Sequence, residues 1–125
     1  QSTDGGDTWS AVYPSTLKSP VSPAVIETLP GTNTLVCVWN NHEGIDPKLA
    51  GFRTPLSIGI SKNDGATWTA LGHFELDPDG WYCYTAMDVV GDHMLLGYCN
   101  GNSRIGRLNR TAITRIALKD LAPKP

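Results

Sequence analysis

The sequence predicts an all-β fold in which four-stranded antiparallel sheets repeat along the chain. Three observations carry this expectation. Ser2, Asp4, Gly6, Thr8 and Trp9 recur as Ser61, Asn63, Gly65, Thr67 and Trp68, every position displaced by the same interval, and a shared displacement marks a repeat. The 125 residues hold 13 Gly and 9 Pro, spread between short apolar runs, which suits frequent reversals and argues against long helices. Those apolar runs, taken in order, group into a set of four followed by most of another set.

The repeated segment has the parts of a tight hairpin. The side-chain oxygen of Asp or Asn accepts from backbone N–H groups two residues on, closing an Asx turn, and Gly supplies the positive φ of the reversal. Thr re-enters an extended strand, and Trp lays a large apolar face against a neighbouring sheet.

The elements follow from this frame. Ser10–Tyr13 completes the outer strand of a first sheet, and 14–23, rich in Ser, Lys and Pro, is a connection. Ala24–Leu29 is a strand, 30–33 a turn, and Thr34–Asn40 a nearly continuous apolar run of the kind covered on both faces. Residues 41–52 form the longest loop. In 56–61, Leu56, Ile58 and Ile60 alternate with small residues at the period of a strand. The second turn motif then leads to a fourth strand, Trp68–Glu75. After a loop over 76–81 the cycle restarts with strands at 82–90, 93–99 and 112–118, separated by a turn at Gly91-Asp92 and a polar loop over 100–110, while 119–125 is a frayed end. Four strands make one blade of a β-propeller, and propellers have about 4–8 blades. The chain therefore holds an outer strand (1–13), one full blade (24–75) and most of another (82–118), a single partial propeller region over 1–125. Beginning inside a repeat suggests a piece of something longer.

Composition narrows the function. A formal net charge of −2 gives no electrostatic case for nucleic acid or an anionic membrane. No apolar run approaches the ~20 residues of a membrane span. Cys37, Cys83 and Cys99 are odd in number and lack C-x-x-C spacing, so they read as free thiols, and neither a metal site nor a cofactor is indicated. Asn109-Arg110-Thr111 is a formal glycosylation sequon.

Strand parity says which residues share an end. Calling the turn-motif end the bottom, Arg53 enters its strand at the top, the next blade's first strand begins there with Trp81, Tyr82 and Tyr84, and second strands deliver Asn40, Asn41 and His42, then Asn100, Asn102 and Arg104. Loops on a rigid scaffold are where ligand sites gather. Trp9, Trp39 and Trp68 read as core. Trp81, after Asp79-Gly80, could serve as a sugar-stacking platform. Arg53 has a plainer reading as a surface partner of Glu43 or Asp46.

The motif S-x-D-x-G-x-T-W resembles the Asp box, or BNR repeat, of sialidases and other β-propellers; the first copy fits fully and the second has Asn63 for Asp. In such families the box is a folding device. The order of Asp box, Ser22-Pro23-Ala24, Leu35–Asn40, Arg53-x-Pro55-Leu56, second box and Tyr84-Thr85 is similar to the C-terminal part of bacterial-type sialidases. That resemblance implies roughly two blades of a six-bladed propeller, an acidic sugar such as sialic acid as substrate, and a secreted or periplasmic location. It also implies that Arg53 is one arginine of the triad that holds the substrate carboxylate and that Tyr84 is the nucleophile, although composition does not separate Tyr84 from Tyr82. The family's acid/base aspartate, glutamate and other two arginines precede the position of Gln1, so this chain alone is expected to be inactive. Two other readings stand beside it. One is a non-catalytic Asp-box module binding carbohydrate or protein, and the other is a ring closed by further copies of the chain in place of missing N-terminal blades.

Overall fold

The computed structural model describes residues 1–121. It is all-β, with seven strands in two antiparallel sheets and two single 3₁₀ turns at Pro47–Leu49 and Leu118–Leu121. The first sheet has the order β1 (Val25–Thr28), β2 (Leu35–Trp39), β3 (Leu56–Ser61) and β4 (Thr69–Glu75), and the second the order β5 (Gly80–Val90), β6 (His93–Asn102) and β7 (Thr111–Ala117). Within each sheet every strand pairs with the next in sequence, as in a blade, and the chain changes sheets between β4 and β5.

Period-two patterning decides what each face does. Leu56, Ile58 and Ile60 of β3 lie beside Val36 and Val38 of β2 and pack against Tyr82, Met94, Leu96 and Tyr98 of the second sheet. This shared core joins the two sheets. Burying one such Leu, Ile or Val side chain contributes about 1.5–3 kcal/mol. The opposite face of β3 presents Ser57, Gly59 and Ser61, also buried. Here the Trp39 indole lies on Gly59, where an added Cβ would come within 3.1 Å of the ring and 2.8 Å of the Thr69 carbonyl. The continuous apolar run of β2 is thus covered on both faces, as its sequence predicts.

The core tyrosine Tyr98 has its hydroxyl paired, whereas the buried Trp39 Nε1 has no hydrogen-bond partner among the described residues. The Tyr98 hydroxyl donates to Glu75 Oε1 at 2.5 Å and meets Thr114 Oγ1 at 2.9 Å, with Phe74 edge-on at 5.7 Å. Burial together with the Glu75 carboxylate pushes the phenols of Tyr82 and Tyr98 up to about 12.

Four expectations are corrected. Residues 10–13 form no strand, and Val12 is fully exposed. A strand needs a ladder partner, and no described strand pairs with this segment. Trp9, 72% exposed, is not core, and Trp68 is only half-buried. The expected loops at 76–81 and 100–110 are shorter, because Gly80 pairs with Asn102 and Trp81 with Gly101, which extends β5 and β6 past their apolar runs. The expected frayed end begins with an ordered turn that buries Leu121, and residues 122–125 lie outside the described residues. No helix among the described residues is long and apolar enough to cross a membrane.

Candidate functional site

The segment leading into β3 is held before its side chains act. Thr54, 1% exposed, donates its hydroxyl to the Asp77 carbonyl at 2.8 Å, and its own carbonyl meets His42 Nε2 at 3.2 Å. Asn40 Nδ2 donates to the Pro55 carbonyl at 3.1 Å, and the Tyr82 N–H donates to the Arg53 carbonyl at 2.9 Å. Four hydrogen bonds from three parts of the chain fix the backbone of residues 53–55.

On β5, Tyr82 and Tyr84 are two residues apart, so plain alternation would put both on the core face. The ladder instead shifts register between Cys83 and Ala86, and Tyr84 adopts φ 55°. A bulge re-aims a side chain. Tyr82 stays in the core at 2% exposure, whereas Tyr84 turns outward at 59%. The structure therefore separates two tyrosines that the sequence leaves tied.

The re-aimed ring meets the clamped arginine. Arg53 Cζ lies 5.3 Å from the Tyr84 ring centroid and 5.4 Å from that of Trp81, and Arg53 Nη2 donates to the Val21 carbonyl at 3.4 Å. Neither Glu43 nor Asp46 pairs with it. Arg107 Cζ stands 4.4 Å from the Trp81 centroid, and Phe52 meets that ring edge-on at 6.3 Å. Cation–π contacts of this exposed kind are worth about 0.5–1 kcal/mol each. Trp81 is therefore half-buried among two guanidiniums and a phenyl ring and orients Arg53 as well as presenting a surface.

Other nominated residues lie apart from this cluster. Arg104 Nε pairs with Asp79 Oδ1 at 2.8 Å, an exposed pair of about 0–1 kcal/mol. Asn41 is buried, accepts from the Glu43 N–H at 2.9 Å and lines a small hollow with Trp39 and Trp68. Sequence reasoning missed the clamping role of Thr54 and the approach of Arg107, which looks like any other loop arginine. Among the described residues, no three His, Cys, Asp or Glu side chains gather in a way that could hold a metal ion.

At the other end of the sheets, the two turn motifs share a shallow hollow of about 670 Å³ lined by Ser2, Gly6, Trp9 and Asp64. A family model described as a BNR repeat-like domain matches residues 1–98. The chain belongs to this BNR family. Comparisons with curated proteins and with solved structures each gave no match. The BNR match takes in both turn motifs, Arg53, Trp81, Tyr82 and Tyr84, and ends before Arg104 and Arg107.

The two BNR turns carry nearly the same hydrogen-bond network. Ser2 Oγ accepts from the Gly6 N–H at 2.8 Å, and Asp4 Oδ1 accepts from the Thr8 N–H at 3.0 Å; in the second copy Ser61 Oγ accepts from Gly65 at 2.9 Å and Asn63 Oδ1 from Thr67 at 2.9 Å. The acidic or amide oxygen thus closes its ring four residues on, not two as the sequence suggests, while the Ser hydroxyl spans the shorter reach as well. Asp4 Oδ2 accepts from the Thr8 hydroxyl, whereas Asn63 Nδ2 donates to that of Thr67. Hydrogen bonds from the Thr8 hydroxyl and N–H hold the Asp4 carboxyl well below the usual carboxylate range. In this BNR chain the motif atoms are spent on folding, and the Arg53, Trp81 and Tyr84 cluster lies away from the two turns.

Proposed function

We propose that this chain forms part of a sialidase-like glycoside hydrolase acting on terminal sialic acid or a related acidic sugar, with Arg53 gripping the substrate carboxylate and Tyr84 as the nucleophile. The observation that carries the reading is the bulge at Tyr84, which turns one tyrosine out of the sheet towards a clamped arginine. A guanidinium fork matches a carboxylate bidentately. A phenol can attack an oxocarbenium-like centre without adding a second full negative charge beside that carboxylate, provided a base takes its proton. Trp81 and Arg107 flank the Arg53 side of the same face.

The base, the acid/base carboxylate and further cations are supplied from outside these residues, by a joined segment or by further copies of the chain. Glu75 does not serve, because Tyr98 and Asn100 already occupy it. The chain alone is accordingly expected to be inactive. In the assembled protein, Tyr84→Phe should lower kcat on a sialoside by several orders of magnitude, and Arg53→Lys should chiefly raise KM. A Tyr84→Phe protein that keeps the parent rate would overturn the nucleophile assignment.

A second reading, a non-catalytic Asp-box module that binds carbohydrate, is favoured by one fact. Among the described residues no hydrogen bond joins the Tyr84 hydroxyl to a carboxylate. It predicts sugar binding that depends on Arg53 and is indifferent to loss of the Tyr84 hydroxyl.

A further inference from the structure

β5 and β6 set Cys83 directly opposite Cys99 in the antiparallel ladder, at the last paired position before the Tyr84 bulge. Opposed residues in such a ladder have Cα atoms about 4.5–5.5 Å apart, within the separation of about 4.4–6.8 Å that a disulfide spans. Both thiols are free; Cys83 is 1% exposed and Cys99 is partly exposed. Cys37, the third thiol, lies in the other sheet, pushed up to about 12 by burial.

We propose that Cys83 and Cys99 form a redox modification site, converted by a low-molecular-weight disulfide such as oxidised glutathione into a cross-strand disulfide at the root of the Tyr84 bulge. The partly exposed Cys99 attacks first as thiolate. Its sulfur bonds to one sulfur of the oxidant and expels the other as a thiolate. The Cys83 thiolate then attacks the Cys99 sulfur and expels the second. Two thiol protons leave, two electrons pass to the oxidant, and two small thiols are released for one protein disulfide. Burial and the adjoining Cys83 hold the Cys99 thiol above its ordinary value, while Arg53 is the cation facing the pair. The exchange therefore quickens as the pH rises.

The bond would be felt at the neighbouring cluster. Cys99 Sγ donates to the Arg107 carbonyl at 3.3 Å, and Arg107 reaches Trp81. Oxidation removes that donor and staples β5 to β6 beside Tyr84. The modification stands independently of the sugar chemistry.

The test is to expose the folded chain to oxidised glutathione, alkylate the remaining thiols before unfolding, and map peptides by mass spectrometry. The expected result is a Cys83–Cys99 linked peptide with Cys37 alkylated only after unfolding, reversal by dithiothreitol, and a stable glutathione adduct on Cys99 in Cys83→Ser. A wild-type chain that stops at the glutathione adduct, links Cys37, or loses no thiols would overturn the proposal.

Discussion

Tyr84 holds φ 55°, a conformation that costs a residue with a Cβ about 1–2 kcal/mol. Such strain persists where the surrounding structure over-determines it, and it gathers at functional positions. Replacing the tyrosine by Asn, which tolerates this backbone, should raise stability by about 0.5–1 kcal/mol while removing the phenol. Denaturant unfolding of Tyr84→Asn checks this, and a loss of stability would show that the backbone strain is smaller than what the ring gains against Arg53. The two BNR turns offer a cleaner comparison, since one has a titratable Asp4 where the other has Asn63. The hydrogen bonds of Asp4 favour its ionised form, so its folded value lies below its unfolded one. The stabilisation is complete above the unfolded value and is lost as pH falls through the folded one. In an NMR titration the Thr8 amide should move only in strong acid and the Thr67 amide should stay fixed. Equal movement of both would mean that the carboxylate is not the acceptor that matters.

At the scale of strands, the rim of the second sheet depends on Gly101. An added Cβ there would fall 1.9 Å from the Arg107 carbonyl, so the loop over 103–110 can lie against β6 only while position 101 is bare. Gly101→Ala should cost about 1–3 kcal/mol and lift Arg107 off Trp81, which a change in tryptophan fluorescence would report; unchanged stability and emission would contradict the packing. The seven strands that form were legible, because alternation in β3, the apolar run of β2 and Gly, Pro and Asn at the turns all state local preferences. Strand ends were not, since Gly80 and Gly101 pair through backbone groups that a hydrophobicity pattern does not register. Residues 10–13 read as a strand and are none, as a ladder is a property of two segments and the sequence describes one. Arg53 and Tyr84 were nominated by their place relative to the turns. The bulge that chooses Tyr84 over Tyr82 was hidden, because the pattern of β5 predicts the same face for both.

At the scale of the molecule, the two sheets share one core among the described residues, where Val36, Val38 and Ile58 cluster with Met94, Leu96 and Tyr98. The sheets should therefore unfold together. Leu96→Ala should lower the stability of both by about 2–5 kcal/mol, whereas Val12→Ala, at a fully exposed position, should stay within about 0.5 kcal/mol. Two resolved transitions by amide exchange in the two sheets would contradict a common core. The same packing sets the distance between Arg53, which enters β3, and Tyr84 on β5, so the fold and the proposed chemistry stand on one interface. The most direct measurement is covalent trapping. The protein, in the assembly proposed to turn over sialosides, would be treated with a fluorinated sialoside that slows breakdown of a glycosyl-enzyme intermediate, and the modified peptide would be located by mass spectrometry. The account predicts a sugar adduct on Tyr84, absent in Tyr84→Phe. An adduct elsewhere, or turnover of a sialoside with no adduct on this tyrosine, would contradict it.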